Sequence, residues 1–172
     1  MRALIVIDYQ KDFVSGALGF EGAQAYDARI AARIRQAREA GETVIFTYDT
    51  HTENYRQTKE GANLPIPHCL VNSDGWELYG QVAQSKQAQD IVFHKPTFGS
   101  LELANYLQQQ GFEQVELCGL VSYICVLSNA VLAKAALPEA EIVVDSALTG
   151  AADTAMTEKA LDILRGLHIT VK

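Results

Sequence analysis

The chain has 172 residues, of which 48% are hydrophobic and 20% charged; this is the balance of a single globular domain, expected to span 1–172, rather than of a disordered or fibrous chain. Its net charge of −7, from 14 basic and 21 acidic residues with no basic cluster, argues against a nucleic-acid partner, because phosphate binding needs concentrated positive charge. No apolar run approaches the ~20 residues of a membrane span and no leader-peptide pattern is visible, while Cys69, Cys118 and Cys125 make a poor disulfide framework; a cytoplasmic protein is expected.

In chain order, Ala3–Ile7 reads as a first strand. Ala25–Ala40 carries Ile30, Ile34 and Ala37 at helical spacing, with Gly41 as a stop. Val44–Phe46 is the next strand. The span from Asp49 to Asp90 follows, long and loop-like, with Pro65 and Pro67 around a single Ile; loops of that length inside a compact domain are usually functional. Ile91–Phe93 reads as a strand and Leu101–Gln109 as a helix, with Leu103 and Leu107 on one face and Gly111 behind it. Val115–Leu117 is a strand, Cys125–Ala136 a buried, Ala/Leu/Val-rich helix, and Ile142–Val144 a strand. Thr157–Arg165, stopped by Gly166, and the strand His168–Val171 close the chain. Most of the strand segments are continuously apolar, as in sheets covered on both faces. Strands alternating with helices predict an α/β, doubly wound parallel sheet with helices on both faces.

In such sheets ligands bind beyond the carboxyl ends of the strands. Asp8, Asp49 and Lys95 each end a strand there, and Cys125 lies shortly past another, at the start of a helix. A thiol at that place is a candidate nucleophile, since a helix N-terminus and a nearby cation favour the thiolate. Taken alone, a Cys between Ile124 and Val126 is more often core packing, as Cys118 is expected to be. Asp8 is a general base or a turn residue, and Lys95 a thiolate partner or an exposed edge lysine. Asp49-Thr-His51 sets a carboxylate and an imidazole two residues apart, with Glu60 and His68 further along the loop. Two His and a carboxylate suit Zn²⁺, Mn²⁺ or Fe²⁺, although a surface turn is the commoner setting for Asp-x-His. His94 is taken as a structural or near-site residue.

The segments Ile7-Asp-Tyr-Gln-Lys-Asp-Phe13, His94-Lys-Pro-Thr-Phe98 and Gly119-Leu-Val-Ser-Tyr-Ile-Cys-Val126 resemble the signatures of the isochorismatase-like cysteine hydrolases. Asp49, His51, Glu60 and His68 direct the resemblance to the nicotinamidase branch. It implies a six-stranded sheet and hydrolysis of nicotinamide (or pyrazinamide) to the acid and ammonia, in NAD salvage, by a homo-oligomer (dimer or tetramer). The catalytic triad would be Asp8, Lys95 and Cys125, with a thioester on Cys125. Backbone N–H groups near Ser122 and Cys125 would form the oxyanion hole, beside a cis peptide at Val121–Ser122. Asp49, His51 and His68, with Glu60 assisting, would hold one divalent metal, Zn first and Mn or Fe as alternatives, against the pyridine nitrogen. Phe13 and Phe98 would pack on the substrate ring. The family's usual Thr-Asp is replaced by Ser122-Tyr123. Three rival readings remain: a metal-free relative acting on another carboxamide or carbamoyl compound, a non-catalytic ligand-binding member, and a nucleotide-binding domain. The last lacks a Gly-rich phosphate loop.

Overall fold

The computed structural model describes all residues, 1–172. Six strands, β1 (Arg2–Ile7), β2 (Thr43–Asp49), β3 (Ile91–Lys95), β4 (Gln114–Leu120), β5 (Glu141–Gly150) and β6 (Thr170–Val171), form one sheet in the order β3-β2-β1-β4-β5-β6. Every neighbouring pair is parallel. The chain steps outward on one side of β1 and then on the other, so the strand order reverses between β1 and β4. A crevice opens beyond the carboxyl ends at such a reversal.

Alternate residues of β1 feed two cores. Ala3, Ile5 and Ile7 join Leu103 and Leu107 of α5 (Leu101–Gln110), Val126 with Ala130 and Ala133 of α6 (Leu127–Ala136), and Leu161 and Leu164 of α7 (Thr154–Gly166). Leu4 and Val6 join Ile30, Ile34 and Ala37 of α2 (Asp27–Glu39), Phe13 of the short α1 (Lys11–Val14), and Val82 of α4 (Gly80–Ser85). This two-sided covering is why β1 is apolar at successive positions. No helix is long and apolar enough to cross a membrane.

Several expected boundaries shift. The first long helix starts at Asp27, after a 3₁₀ turn at Ala23–Tyr26. The segment from Asp49 to Asp90 is not bare loop: it contains 3₁₀ turns at Tyr55–Gln57 and Asp74–Trp76, α3 (Lys59–Asn63) and α4. Helices that short have no apolar period to read. β5 runs on to Gly150, through a register break against β4 between Leu117 and Gly119. Gly166 is the last residue of α7 rather than its stop, and the chain reverses at His168, with φ +59°.

Gly119 lets β4 pass close to β1. Its φ is +110°, and a Cβ there would sit 2.0 Å from the Ile7 carbonyl oxygen. Gly119→Ala is therefore expected to cost at least ~2 kcal/mol from backbone strain and clash. Urea unfolding measures it, and a variant within 0.5 kcal/mol or so of wild type, the range of neutral surface changes, would disprove the close-approach argument.

Candidate active site

The parallel register pairs Asp49 with Lys95 on adjacent strands and Ile7 with both Thr47 and Gly119. Asp8 thus emerges between Thr47 and the end of β4, in the left-handed region at φ +44°. Thr47 Oγ1 donates to Asp8 Oδ1 at 2.6 Å. Asp8 Oδ2 lies 2.6 Å from Lys95 Nζ in a buried ion pair and meets no other donor. That oxygen keeps lone-pair capacity for a proton.

Lys95 is itself buried. Besides Asp8, Nζ meets Asp49 Oδ1 at 3.3 Å, the Thr97 carbonyl at 3.1 Å and Cys125 Sγ at 3.6 Å. Burial alone would lower the lysine's pKa, but Asp8, Cys125 when it is a thiolate, and Asp49 outweigh it and raise it, so Lys95 is held as a cation. Asp8 is pushed above the ordinary carboxylate range by burial, against the pull of Lys95.

Cys125 is buried beside Lys95. It lies in a wide π-helical turn, Ser122–Val126, at the head of α6. Burial pushes its pKa well up, Lys95 lowers it, and Asp8 and Asp49 raise it again. A buried thiol cannot ionise without handing its proton to a neighbouring base. The cis peptide is displaced from the expected Val121–Ser122 bond: it joins Leu120 to Val121, one residue earlier, where β4 enters the turn.

Asp49 divides its oxygens. While Oδ1 meets Lys95, Oδ2 lies 3.0 Å from His51 Nε2 and 3.3 Å from His68 Nε2. Glu60, delivered by α3, places Oε1 3.5 Å from His51 Nε2 and 3.6 Å from His68 Nε2. All four donor atoms fall within 4.8 Å of one another. Donors at ~2.0–2.1 Å in a tetrahedron stand roughly 3.3–3.4 Å apart; the four histidine–carboxylate pairs, at 3.0–3.6 Å, bracket that spacing and the widest separation exceeds it, so the set could close on one divalent ion by drawing its opposite donors together. His68 Nδ1 is paired with the Ile66 carbonyl at 2.8 Å, which fixes the tautomer and leaves the Nε2 lone pair for a metal. The Tyr55 ring lies edge-on to both imidazoles, at 4.7 and 5.0 Å.

A cavity of about 390 Å³, lined by Lys59, Glu60, Asn63, Leu64, Thr97, Phe98 and Ile124, adjoins this assembly through Glu60, while Asp8, Lys95, Cys125 and the two histidines do not line it. Phe98 therefore stands at its wall. Phe13 is not among the lining residues; it is buried in the core, with its ring 5.6 Å from that of His68. The Ser122 hydroxyl is turned away to Thr149 Oγ1 at 3.1 Å, so an oxyanion role would fall to backbone N–H groups of the turn. His94 is stacked on Trp76 with ring centroids 5.3 Å apart, outside the donor cluster. The largest cavity, about 520 Å³, lies at the opposite, amino-terminal edge of the sheet; Arg33, Glu42, Glu116 and Lys172 there satisfy one another in ion pairs.

Sequence reasoning missed the supports. Gln10 clamps the Asp49 backbone, accepting from its N–H at 2.8 Å and donating to its carbonyl at 2.9 Å. Asp12 Oδ2 accepts from Cys69 N–H at 2.7 Å, anchoring the segment that presents His68. The only signal was their place in the segment after Asp8, where a buried amide and a second carboxylate need partners.

A family model described as the Isochorismatase domain matches residues 2–171. The nicotinamidase/pyrazinamidase of Mycobacterium tuberculosis is 27% identical over 146 residues, covering 76% of this chain and 77% of that protein. The crystal structure of the pyrazinamidase of Pyrococcus horikoshii in complex with zinc aligns at TM-score 0.87 and 25% identity, covering 99% of this chain and 98% of that one. The pyrazinamidase/nicotinamidase of Streptococcus mutans aligns over 100% of both chains at TM-score 0.89 and 27% identity. The match over nearly the whole length, on this fold, settles the assignment: the chain belongs to the isochorismatase family.

Proposed function

We propose that this chain is a metal-dependent amidohydrolase that converts nicotinamide to nicotinate and ammonia through a thioester on Cys125, serving NAD salvage. The observation that carries the reading is the sharing of Asp49 between Lys95, which touches Cys125, and the His51–Glu60–His68 donor set. The names of the relatives support the same substrate. The buried, unpaired state of all three cysteines suits a reducing compartment, and we place the reaction in the cytoplasm.

Asp8 accepts the Sγ proton as Sγ attacks the carboxamide carbon. Backbone N–H groups of the Ser122–Cys125 turn receive the developing oxyanion. Asp8 returns the proton to the amine, the C–N bond breaks, and ammonia leaves a thioester. Asp8 then takes a proton from water, whose oxygen attacks the thioester; the C–S bond breaks, nicotinate departs and the thiol regains its proton. Lys95 stabilises the sulfur whenever it carries charge. Asp49, His51, His68 and Glu60 would hold a divalent ion, which when bound supplies a Lewis-acid site for the ring nitrogen.

Ammonia release from nicotinamide, pyrazinamide, a carbamoyl amine and a ureide tests the substrate. Turnover of either of the last two without the pyridine and pyrazine amides would replace the nicotinamidase reading. That rival is motivated by Tyr123, which stands where the family usually has Asp. The base assignment has its own test. Asp8 must be ionised to accept a proton, and burial raises its pKa. Activity should thus be lost as pH falls through a value above the ordinary ~3.9 of an aspartate. Asp8→Asn should lower kcat/KM by ~10²–10⁴-fold. A loss of only a few-fold would demote Asp8 to a structural role.

A further inference from the structure

Asn129 is the one polar side chain of α6 that is fully buried, at 1% exposure. Asn is a poor residue for a helix interior, and burying its amide costs stability unless the hydrogen bonds are made. Here three are made. Nδ2 donates to the Cys125 carbonyl at 2.8 Å and to the Phe98 carbonyl at 3.0 Å, and Oδ1 accepts from Ser100 N–H at 3.0 Å. The amide cannot be reversed, since two carbonyls and one N–H surround it.

These bonds join two segments that are distant in sequence. One is the turn that carries the nucleophile. The other is the segment Lys95–Ser100, which holds the lysine, the Thr97 carbonyl that receives Lys95 Nζ, and Phe98 of the cavity wall. Packing agrees: a Cβ on Gly99 would come within 2.7 Å of Leu132 Cδ1, so this segment lies tight against α6. Ser100 is fixed in turn by its hydroxyl, which caps α5 at Leu103 N–H, 3.0 Å away.

We propose that Asn129 is a positioning residue that locks the Cys125 turn to the Lys95–Ser100 segment and thereby holds Sγ beside the Lys95 ammonium. This rests on Cys125 being the nucleophile but not on nicotinamide being the substrate. Asn129 touches no substrate; it acts through the two groups it ties together. A misplacement on the order of 1 Å at a reacting group can cost ~10²-fold in rate, and that is the scale of the effect expected.

The test compares Asn129→Ala and Asn129→Asp with Asp27→Ala. Asp27 caps α4 by accepting from Gln81 and Val82 N–H and lies outside the site, so it controls for plain destabilisation. Melting temperature, the rate of Cys125 alkylation by iodoacetamide at one fixed pH, and kcat and KM for the best amide of the panel are measured. Both Asn129 variants should lose roughly a hundredfold in kcat, with KM moving far less and alkylation slowed. Asp27→Ala should keep both rates at an equal loss of melting temperature. If Asn129→Ala fails to fold, Asn129→Asp, which keeps the shape and the acceptor for Ser100, carries the comparison. Folded Asn129 variants with wild-type kcat and alkylation rate overturn the proposal, as does an equal loss of both in Asp27→Ala. Slowed alkylation in a protein whose wild type hydrolyses no nicotinamide would uphold the lock and reject the substrate instead.

Discussion

Cys125→Ala is expected to abolish amide hydrolysis, whereas Cys118→Ala is expected to retain most of it. Removing the nucleophile of a hydrolase triad costs about 10⁶-fold in kcat, because the remaining members have nothing to activate. The geometry gives this chain no substitute. Lys95 is a cation locked between two carboxylates, and both Asp8 oxygens are engaged, one by the Thr47 hydroxyl and the other by the Lys95 ammonium. Cys118 sits within β4 with the opposite core, its Sγ 3.6 Å from the Ile5 carbonyl, remote from any reacting group. Iodoacetamide should label Cys125 first, since Cys69 and Cys118 are wholly enclosed while Cys125 retains 4% exposure, and nicotinamide should protect it. Activity near wild type in Cys125→Ala would sink the covalent route.

The fold was legible where the physics is local and repetitive. β1, β2 and β4 are covered on both faces, so their apolar runs stand out, and each ends on the edge where Asp8, Asp49 and the Cys125 turn project. Because ligands collect on that edge, the candidate site could be read from the strand ends. What stayed hidden depends on three-dimensional register. No spacing rule announces that Asp49 serves two masters, one oxygen toward Lys95 and the other toward the imidazoles. That arrangement arises only when β3 aligns Lys95 with Asp49. Gln10 and Asn129 were silent for the same reason, as a side-chain amide shows its role only once the backbone groups around it are placed. α3 is too short to display a period, yet it delivers Glu60 to the histidines. The enclosure of Cys125 was hidden likewise: a helix N-terminus and a lysine were visible in the sequence, but the burial that pushes the thiol's pKa up against them was not.

Replacing His51 or His68 by Ala should empty the Asp49–His51–Glu60–His68 site of metal and take amide binding with it. Loss of a group that merely orients a ligand costs ~10–100-fold in metal affinity, so loss of a ligand itself should cost more. Asp49 is held well below the usual carboxylate range: burial opposes this, but hydrogen bonds from the histidines and the charge of Lys95 prevail, and it stays ionised as a ligand must. Protons compete at the imidazoles. Burial lowers the pKa of His68, but Asp49, the Ile66 carbonyl and Glu60 together raise it above its ordinary value. Metal occupancy should therefore fall as pH drops through the imidazole range, because protons and the ion compete for the same nitrogens. Metal content after equilibrium dialysis across pH, with calorimetric binding of nicotinamide, reads this directly. The Cys125 corner should be less affected, because Lys95 retains Asp8 and Thr97 as partners. Alkylation of Cys125 should accordingly survive in His51→Ala and His68→Ala far better than nicotinamide binding does. Chelation should reproduce both variants, and Zn²⁺, Mn²⁺ or Fe²⁺ should reverse it. A folded protein that contains no metal and hydrolyses nicotinamide equally well in chelator would reject the metal assignment and leave a metal-free amidohydrolase in its place.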